Sequence, residues 1–132
     1  MTGENNLQCL LRSMSPGLLE GEYVFCSISN AQYGDYAEAM PIASFTEAEG
    51  LTLVLLRDTA ESLGLSFQGG FRCITLGVHS SLQAVGLTAA VSGALAENGI
   101  SANVIAAYFH DNIFVPTELA SRALDILLEP GK

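Results

Sequence analysis

Residues 80–116 have the sequence SSLQAVGLTAAVSGALAENGISANVIAAYFHDNIFVP. A polar loop at its start gives way at Gly86 to an apolar stretch that ends in the pair Asn98-Gly99. Apolar residues recur there at helical spacing, and Asn-Gly is typical of a helix end, so we expect a helix over 86–98. The sequence that follows is rich in strand-forming residues. It predicts a strand at 101–108, a turn at 110–112 and a second strand at 113–115.

The flanking residues extend this pattern to β-α-β-β-α. A strand is expected over Phe71–Val78, and Thr117 is expected to cap a last helix. This order is the split βαβ, or ferredoxin-like, arrangement without its last strand. Strands joined by tight turns pair antiparallel, so we expect an α+β two-layer sandwich with an antiparallel sheet and helices on one face. A strand from the first half of the chain is expected to cover the open edge of this sheet.

The first half repeats the order of elements, although hardly the residues. The order strand, turn, strand, helix is expected in two segments, PIASFTEAEGLTLVLLRDTAESLG and NVIAAYFHDNIFVPTELASRAL. We therefore expect two pseudo-repeated modules, at 1–69 and 70–132, with Gly69-Gly70 as the joint between them. In the first module, strands are expected at 22–28, 41–45 and 51–56, and helices at 2–14 and 57–63.

Composition excludes several classes of partner. The chain has 132 residues, of which 49% are hydrophobic and 14% charged, which is enough apolar surface for a core. Its formal net charge of -9 argues against binding to nucleic acid or to an anionic membrane surface. The uncharged stretch from Cys73 to Ala96 contains polar residues and three glycines, which argue against a membrane span. The surplus of apolar residues favours self-association, and we expect a homodimer.

The cysteines and short motifs point away from catalysis. Cys9, Cys26 and Cys73 are far apart and form no CxxC pair, so we expect neither a disulfide framework nor a zinc site. Cys26 and Cys73 lie in apolar strand patterns and are expected to be buried thiols. There is no phosphate-binding loop and no dinucleotide fingerprint, and we expect no cofactor and no enzymatic activity. The start MTGENN lacks the features of a signal peptide, which predicts a cytoplasmic protein.

One segment resembles a known family, the ACT domain. AVGLTAAVSGALAENGISANVIAAY is similar to its signature of an entrance glycine, an alanine- and leucine-rich helix, a Gly-Ile pair and a strand. Gly86 stands for the entrance glycine and Gly99-Ile100 for the pair, while Val85 replaces the usual proline. HSSLQAVGL resembles the ACT modules of aspartate kinases and of small stand-alone tandem ACT proteins related to cytosolic arginine sensors, and PIASFTEAEGLTLVLL is typical of the tandem group.

The resemblance implies ferredoxin-like modules that pair side by side into a continuous sheet. It also implies regulatory binding of amino acids at the module interface, without catalysis. The chemistry of the residues agrees, because a helix N-terminus offers amide donors and a positive dipole end to a carboxylate, and glycine allows close approach. The candidate ligand-binding residues are His79, Ser80, Ser81, Gln83, Val85, Gly86, Leu87, Thr88, Asn103 and Val104.

Each candidate also has a purely structural interpretation. Gly86 suits a plain helix start, the loop serines suit caps and turns, and His79 suits a hydrogen-bonded loop position. His110 and Asp111 resemble a metal or acid–base pair, but their place at a predicted turn has a backbone explanation. The alternative function is a structural or partner-binding homo-oligomer without a ligand.

Overall fold

The structure is a computed structural model that describes residues 15–77 and 86–128. Its helices are α1 (Arg57–Ser62), α2 (Leu87–Glu97) and α3 (Ala120–Leu128), and 3₁₀ turns lie at Ala37–Ala39 and Thr117–Leu119. Its strands are β1 (Pro16–Leu18), β2 (Tyr23–Ile28), β3 (Ala43–Glu47), β4 (Gly50–Leu56), β5 (Gln68–Leu76), β6 (Asn103–Ala106) and β7 (Asp111–Pro116). The predicted helix at 2–14 and the predicted loop at 79–85 lie outside the described residues.

The described residues form two compact units. We call Gly21–Phe71 the loop unit, and the residues up to Glu20 together with those from Arg72 onward the helix unit. Strand β5 gives its first four residues to the loop unit and the remainder to the helix unit. Gly69 and Gly70, which we expected to join the two halves of the chain, lie within strand β5.

The loop unit has the strand order β3-β4-β2-β5. Strand β4 pairs antiparallel with both β2 and β3, and β5 pairs antiparallel with β2 across an irregularity in register. Gly69 has a φ of 96° at this irregularity, a conformation that glycine adopts without strain. The core combines alternate strand residues with α1, and its fully buried members are Val24, Cys26, Leu51, Leu53, Leu55 and Ala60.

The helix unit contains β1, the last part of β5, β6 and β7. Strands β7 and β6 follow β5 in order and pair antiparallel with each other. Strand β1 pairs antiparallel with β5, from Pro16 opposite Leu76 to Leu18 opposite Ile74. The prediction that a strand from the first half would cover this edge is therefore confirmed. With that strand, the unit has the complete set of elements of a ferredoxin-like module.

Among the described residues, helices α2 and α3 cover the sheet of the helix unit. The expected helix over 86–98 is confirmed as α2, with Gly86 and Asn98 as its flanking residues. Its apolar stripe buries Val91 and Leu95, which pack in one cluster with the strand residues Ile74 and Ile113. Helix α3 adds Ala120, Ala123 and Leu127 to the same cluster. The chain thus has an α+β ferredoxin-like fold of two modules, and the helix unit is completed by β1, which precedes the loop unit in the chain.

Three local predictions are wrong in detail. The turn expected at 110–112 is formed instead by residues 107–110, where the Ala107 N–H donates to the His110 carbonyl at 3.0 Å. Strand β3 begins two residues later than expected, at Ala43. The last helix starts with a 3₁₀ turn whose N-cap is Pro116, which has no hydroxyl, rather than with Thr117 as its capping residue.

Candidate functional site

Gly86 stands at the start of α2 in a left-handed conformation, with a φ of 98° and a ψ of -23°. Its carbonyl accepts the Ala90 N–H at 2.8 Å, which is the first bond of the helix. Residues with a Cβ adopt this conformation only with strain, so the backbone itself explains why glycine occupies the position. The predicted role of Gly86 in opening the helix is confirmed, and its role toward a ligand stays a prediction.

The first turn of α2 has the electrostatics of an anion-binding helix end. The first amides of any α-helix have no acceptor within the helix and carry part of a positive charge. Gly86 has no side chain with which to cap them, and the first turn contains no acidic residue. The Thr88 side chain is exposed. A carboxylate is therefore the kind of group that the backbone amides of Leu87 and Thr88 suit.

Asn103 and Val104 begin β6, which is the last strand in the order of the helix unit. Asn103 lies opposite Phe114 and Val104 opposite Ile113. Asn103 is exposed, whereas Val104 is half-buried and packs on the apolar cluster. No hydrogen bond between described residues joins Asn103 to Thr88. The expectation that β6 and the helix start share one ligand thus stays a prediction.

The polar loop before α2 lies outside the described residues. It carries half of the predicted site: His79, Ser80, Ser81, Gln83 and Val85. For these residues the sequence prediction stands untested. Of the ten candidates, the described backbone covers Gly86, Leu87, Thr88, Asn103 and Val104.

The histidine–aspartate pair at 110–111 lies at the start of β7, where the turn formed by residues 107–110 ends. Asp111 begins β7 opposite Ala106, and only 7% of it is exposed. Its neighbour Asn112 accepts a hydrogen bond from the Thr75 hydroxyl at 2.8 Å, through Oδ1. No cluster of three or more histidine, cysteine, aspartate or glutamate residues that could hold a metal occurs within 15–77 and 86–128.

The prediction that Cys26 and Cys73 are buried free thiols is confirmed. Cys26 is 2% exposed and Cys73 is fully buried. Burial raises the pKa of both thiols, and for Cys73 a hydrogen bond with Thr75 opposes that effect in part. A thiol with a raised pKa is a poor nucleophile at neutral pH, so neither residue has the character of a catalytic cysteine.

Sequence reasoning missed a hollow of about 450 Å³ in the loop unit. It lies along the connection from β2 to β3, and its lining includes Asp35 and Met40 from the connection and Leu51 and Leu53 from β4. A second hollow, of about 710 Å³, lies against the other face of the sheet, near Phe25 and Phe45. A hollow forms where the surrounding segments leave part of the core uncovered. No local sequence motif predicts such a place, because it depends on the three-dimensional packing.

Two family models, both described as ACT domain, match the chain in tandem. One matches residues 2–72 and the other residues 68–129. No curated protein matches the chain. Among the residues that the structure describes, no helix has the length and apolar character that a membrane crossing needs.

Solved structures give the same picture of the fold. A protein of unknown function from Vibrio cholerae, described as a possible transport protein, has 55% sequence identity over 100% of both chains, with a TM-score of 0.88. A protein from Agrobacterium tumefaciens has 19% identity, covers 85% of this chain and 84% of its own, and has a TM-score of 0.71. The ligand-free regulatory subunit of aspartate kinase from Thermus thermophilus has 13% identity, covers 89% of this chain and 97% of its own, and has a TM-score of 0.58.

Proposed function

Because the chain belongs to the ACT-domain family, with two modules in tandem, we propose that it binds a free amino acid and passes that signal to a partner. ACT domains are typically regulatory modules that bind small ligands. The observation that supports a site in this chain is the start of α2, where a left-handed glycine precedes a first turn without acidic residues. The protein acts in this proposal as a regulator without catalytic activity of its own.

The carboxylate of the ligand binds the amides of Leu87 and Thr88. Two properties of the helix end favour this assignment: the amides lack partners within the helix, and the helix dipole places partial positive charge there. Such a local donor set matters in a chain with a net charge of -9, because long-range attraction of an anion is absent. Gly86 lets the ligand approach the backbone closely.

The ammonium group of the ligand needs acceptors, and the predicted source is the start of β6. Asn103 offers an exposed amide oxygen, and the backbone carbonyls of the strand offer further acceptors. The loop before α2 supplies the remaining proposed contacts with the ligand, from His79, Ser80, Ser81 and Gln83. Recognition in this arrangement depends mainly on backbone groups, which also explains why the segment contains so few charged side chains.

In this proposal the protein is a cytoplasmic homodimer, and its two modules comprise residues 1–69 and 70–132. Self-association suits its large apolar fraction, and the buried free thiols suit a reducing compartment. In this proposal the ligand changes how modules or copies pack against each other, and that change in packing carries the signal to the partner.

A second candidate function, a partner-binding homo-oligomer without a ligand, has one specific observation in its favour. The face of the loop-unit sheet opposite Val24 and Cys26 carries Phe25 and Phe45, and 70% of Phe45 is exposed. The hollow of about 710 Å³ lies along this face. Exposed aromatic residues of this kind are typical of protein contacts.

Thermal unfolding in the presence of each of the twenty amino acids tests the first proposal against the second. A ligand at about 100 times its Kd adds roughly 2.7 kcal/mol to the free energy of unfolding, which is easily seen in the Tm. We expect one amino acid, or a small group of related ones, to raise the Tm. No rise with any of them would contradict amino-acid binding and leave the homo-oligomer as the better account.

Two glycine variants at the ends of α2 locate the site. Gly86→Val should abolish the rise in Tm, because its side chain would stand where the carboxylate approaches. Gly99→Val is the matched control, since Gly99 also has a positive φ, of 72°, and nothing within 4 Å that a Cβ would meet. Both variants lose stability through backbone strain, but only the first should lose binding. Equal retention of binding by both would place the ligand elsewhere.

A further inference from the structure

The hollow of about 450 Å³ in the loop unit lies where a ferredoxin-like module usually has its first helix. In the helix unit, the connection between the first two strands of the module contains the 11-residue helix α2. In the loop unit, the corresponding connection, from β2 to β3, has only a 3₁₀ turn of three residues, Ala37–Ala39. The turn buries Ala39 against the core and leaves room beside it.

The lining of this hollow is apolar at the bottom and along one wall. Leu51 and Leu53 form the bottom, as members of the buried core. Met40 and Ile42 form a wall, and 82% of Met40 and 41% of Ile42 are exposed. A ligand with an apolar body would remove this surface from water, which is the main source of affinity in small-molecule sites. A volume of about 450 Å³ is within the usual range for such sites.

One charged group stands among the described residues that line the hollow, and it is an acid. Asp35 accepts the Gln32 N–H at 2.8 Å through Oδ2, and that bond holds the carboxylate in place. Its other oxygen, Oδ1, accepts no hydrogen bond from the described residues. Because the whole chain also has a net charge of -9, the site favours a cation over an anion or a neutral molecule.

The backbone around the hollow is held in an unusual conformation. Tyr36 and Met40, which flank the 3₁₀ turn, have φ values of 66° and 53°. Large side chains adopt this left-handed region only with strain, and such strain concentrates at binding sites. The conformation of Met40 matters here because its side chain supplies the most exposed apolar surface of the wall.

We propose that this hollow is a second small-molecule site, which binds an organic cation with an apolar body, of the alkylammonium class. The apolar body lies on Met40 and Ile42 above Leu53, and the ammonium group faces the carboxylate of Asp35. This site is distinct from the one at the start of α2. Its ligand would replace, in part, the core cover that a first helix supplies in other modules.

Methyl NMR with three probes of equal length tests the proposal directly. The chain has three methionines, so methyl-labelled methionine gives a simple spectrum in which Met40→Leu assigns the relevant signal. The intact protein is titrated with n-butylammonium, n-butanol and n-butyrate. We expect the Met40 methyl signal to move in a saturable way with n-butylammonium, less with n-butanol and least with n-butyrate. Equal shifts with all three probes, or none, would overturn the proposal.

Matched variants separate the charge from the shape of the site. Asp35→Asn should weaken n-butylammonium binding about two- to fivefold, as expected for an exposed ion pair, and leave n-butanol unchanged. Glu38→Gln is the control, since Glu38 is an acid in the 3₁₀ turn that does not line the hollow. If Glu38→Gln weakened binding as much as Asp35→Asn, general attraction to an acidic protein would explain the result and the site would be rejected.

A filling variant tests the location. Ser44→Phe places a ring in the hollow from an exposed strand position, where aromatic residues are well tolerated. Thr46→Phe places the same ring on the same side of β3, outside the lining. Only Ser44→Phe should block n-butylammonium. Gly86→Val should leave this binding intact, so failure at one site can be told apart from failure at the other.

Discussion

The loop unit and the helix unit have the same order of strands but cover their cores differently. In the helix unit, α2 and α3 together bury Val91, Leu95, Ala123 and Leu127 against the sheet. In the loop unit, Leu51 and Leu53 belong to a core that is covered by one helix, α1, and by an irregular connection with a single buried alanine. The helix unit thus has a closely packed helix at the place where the loop unit has a hollow.

The largest expected effect is on the free energy of unfolding, when a side chain that covers the core is truncated in each unit. Leu95→Ala removes a fully buried side chain of α2 and should lower the free energy of unfolding by about 3 kcal/mol. Met40→Ala changes the cover of the loop unit, but Met40 is exposed, so the expected loss is less than about 0.5 kcal/mol. Chemical denaturation of both variants gives the two values. Similar losses would mean that the connection of the loop unit packs as tightly as a helix.

The next largest effect is expected at two glycines of the loop unit, whose replacement by alanine should cost different amounts of stability. A Cβ at Gly50 would collide with the Ile28 carbonyl, at a φ of 148°. Gly50→Ala should therefore cost about 2–3 kcal/mol, from strain and overpacking together. Gly34 also has a positive φ, of 99°, but nothing lies within 4 Å of its Cβ position, so Gly34→Ala should cost only about 1 kcal/mol. Urea unfolding of the pair checks whether the hairpin, rather than the connection, limits stability.

The thiols provide one probe of opening in each unit. Cys26 lies in the core of the loop unit and Cys73 in strand β5 of the helix unit. Burial raises the pKa of both, so each should react slowly with iodoacetamide until its surroundings open. We expect Cys26 to react about tenfold faster than Cys73, after correction for rates in the unfolded chain. Mass spectrometry on a Cys9→Ser background measures both. A faster Cys73 would reverse the assignment of the more stable unit.

A single glycine in the helix unit should allow a small gain in stability. Gly93 lies on the exposed side of α2, and nothing lies within 4 Å of its Cβ position. Gly93→Ala should raise the free energy of unfolding by about 0.8 kcal/mol, because alanine loses less freedom in a helix. Ala89→Gly, at another exposed position of α2, should lower it by a similar amount. Tm measurements on both variants show whether α2 contributes to global stability, and unchanged values would argue that it opens first.

Local signals in the sequence predicted the helix unit well. The alanine-rich pattern that ends at Asn98-Gly99 predicted α2 to within one residue at each end, because both ends depend on their own backbone conformations. The need for a further strand beside β5 was also readable, since an unpaired edge is unfavourable. The position of that strand before Gly21 was not, because pairing over so long a stretch of chain leaves no local trace.

Tertiary contacts explain what the sequence did not reveal. Asp111 and Asn112 favour a turn when taken alone, but here both lie in β7, and the Thr75 hydroxyl binds the side chain of Asn112. The hollow of the loop unit arises from the short cover over Leu53, which only a three-dimensional arrangement defines. For the candidate site, the position of Gly86 at the start of a helix followed from the sequence. The meeting of the loop, the helix start and β6 around a ligand stays a prediction.

Backbone amide NMR of the ¹⁵N-labelled protein, titrated with each amino acid, tests whether a carboxylate binds the start of α2. We expect one amino acid to move the amide signals of Leu87 and Thr88 furthest, as amides that donate to a carboxylate should. The signal of Gly99, at the other end of α2, should hardly move. Shifts that are largest in residues 33–44, or an unchanged spectrum with all twenty, would contradict ligand binding at the start of α2.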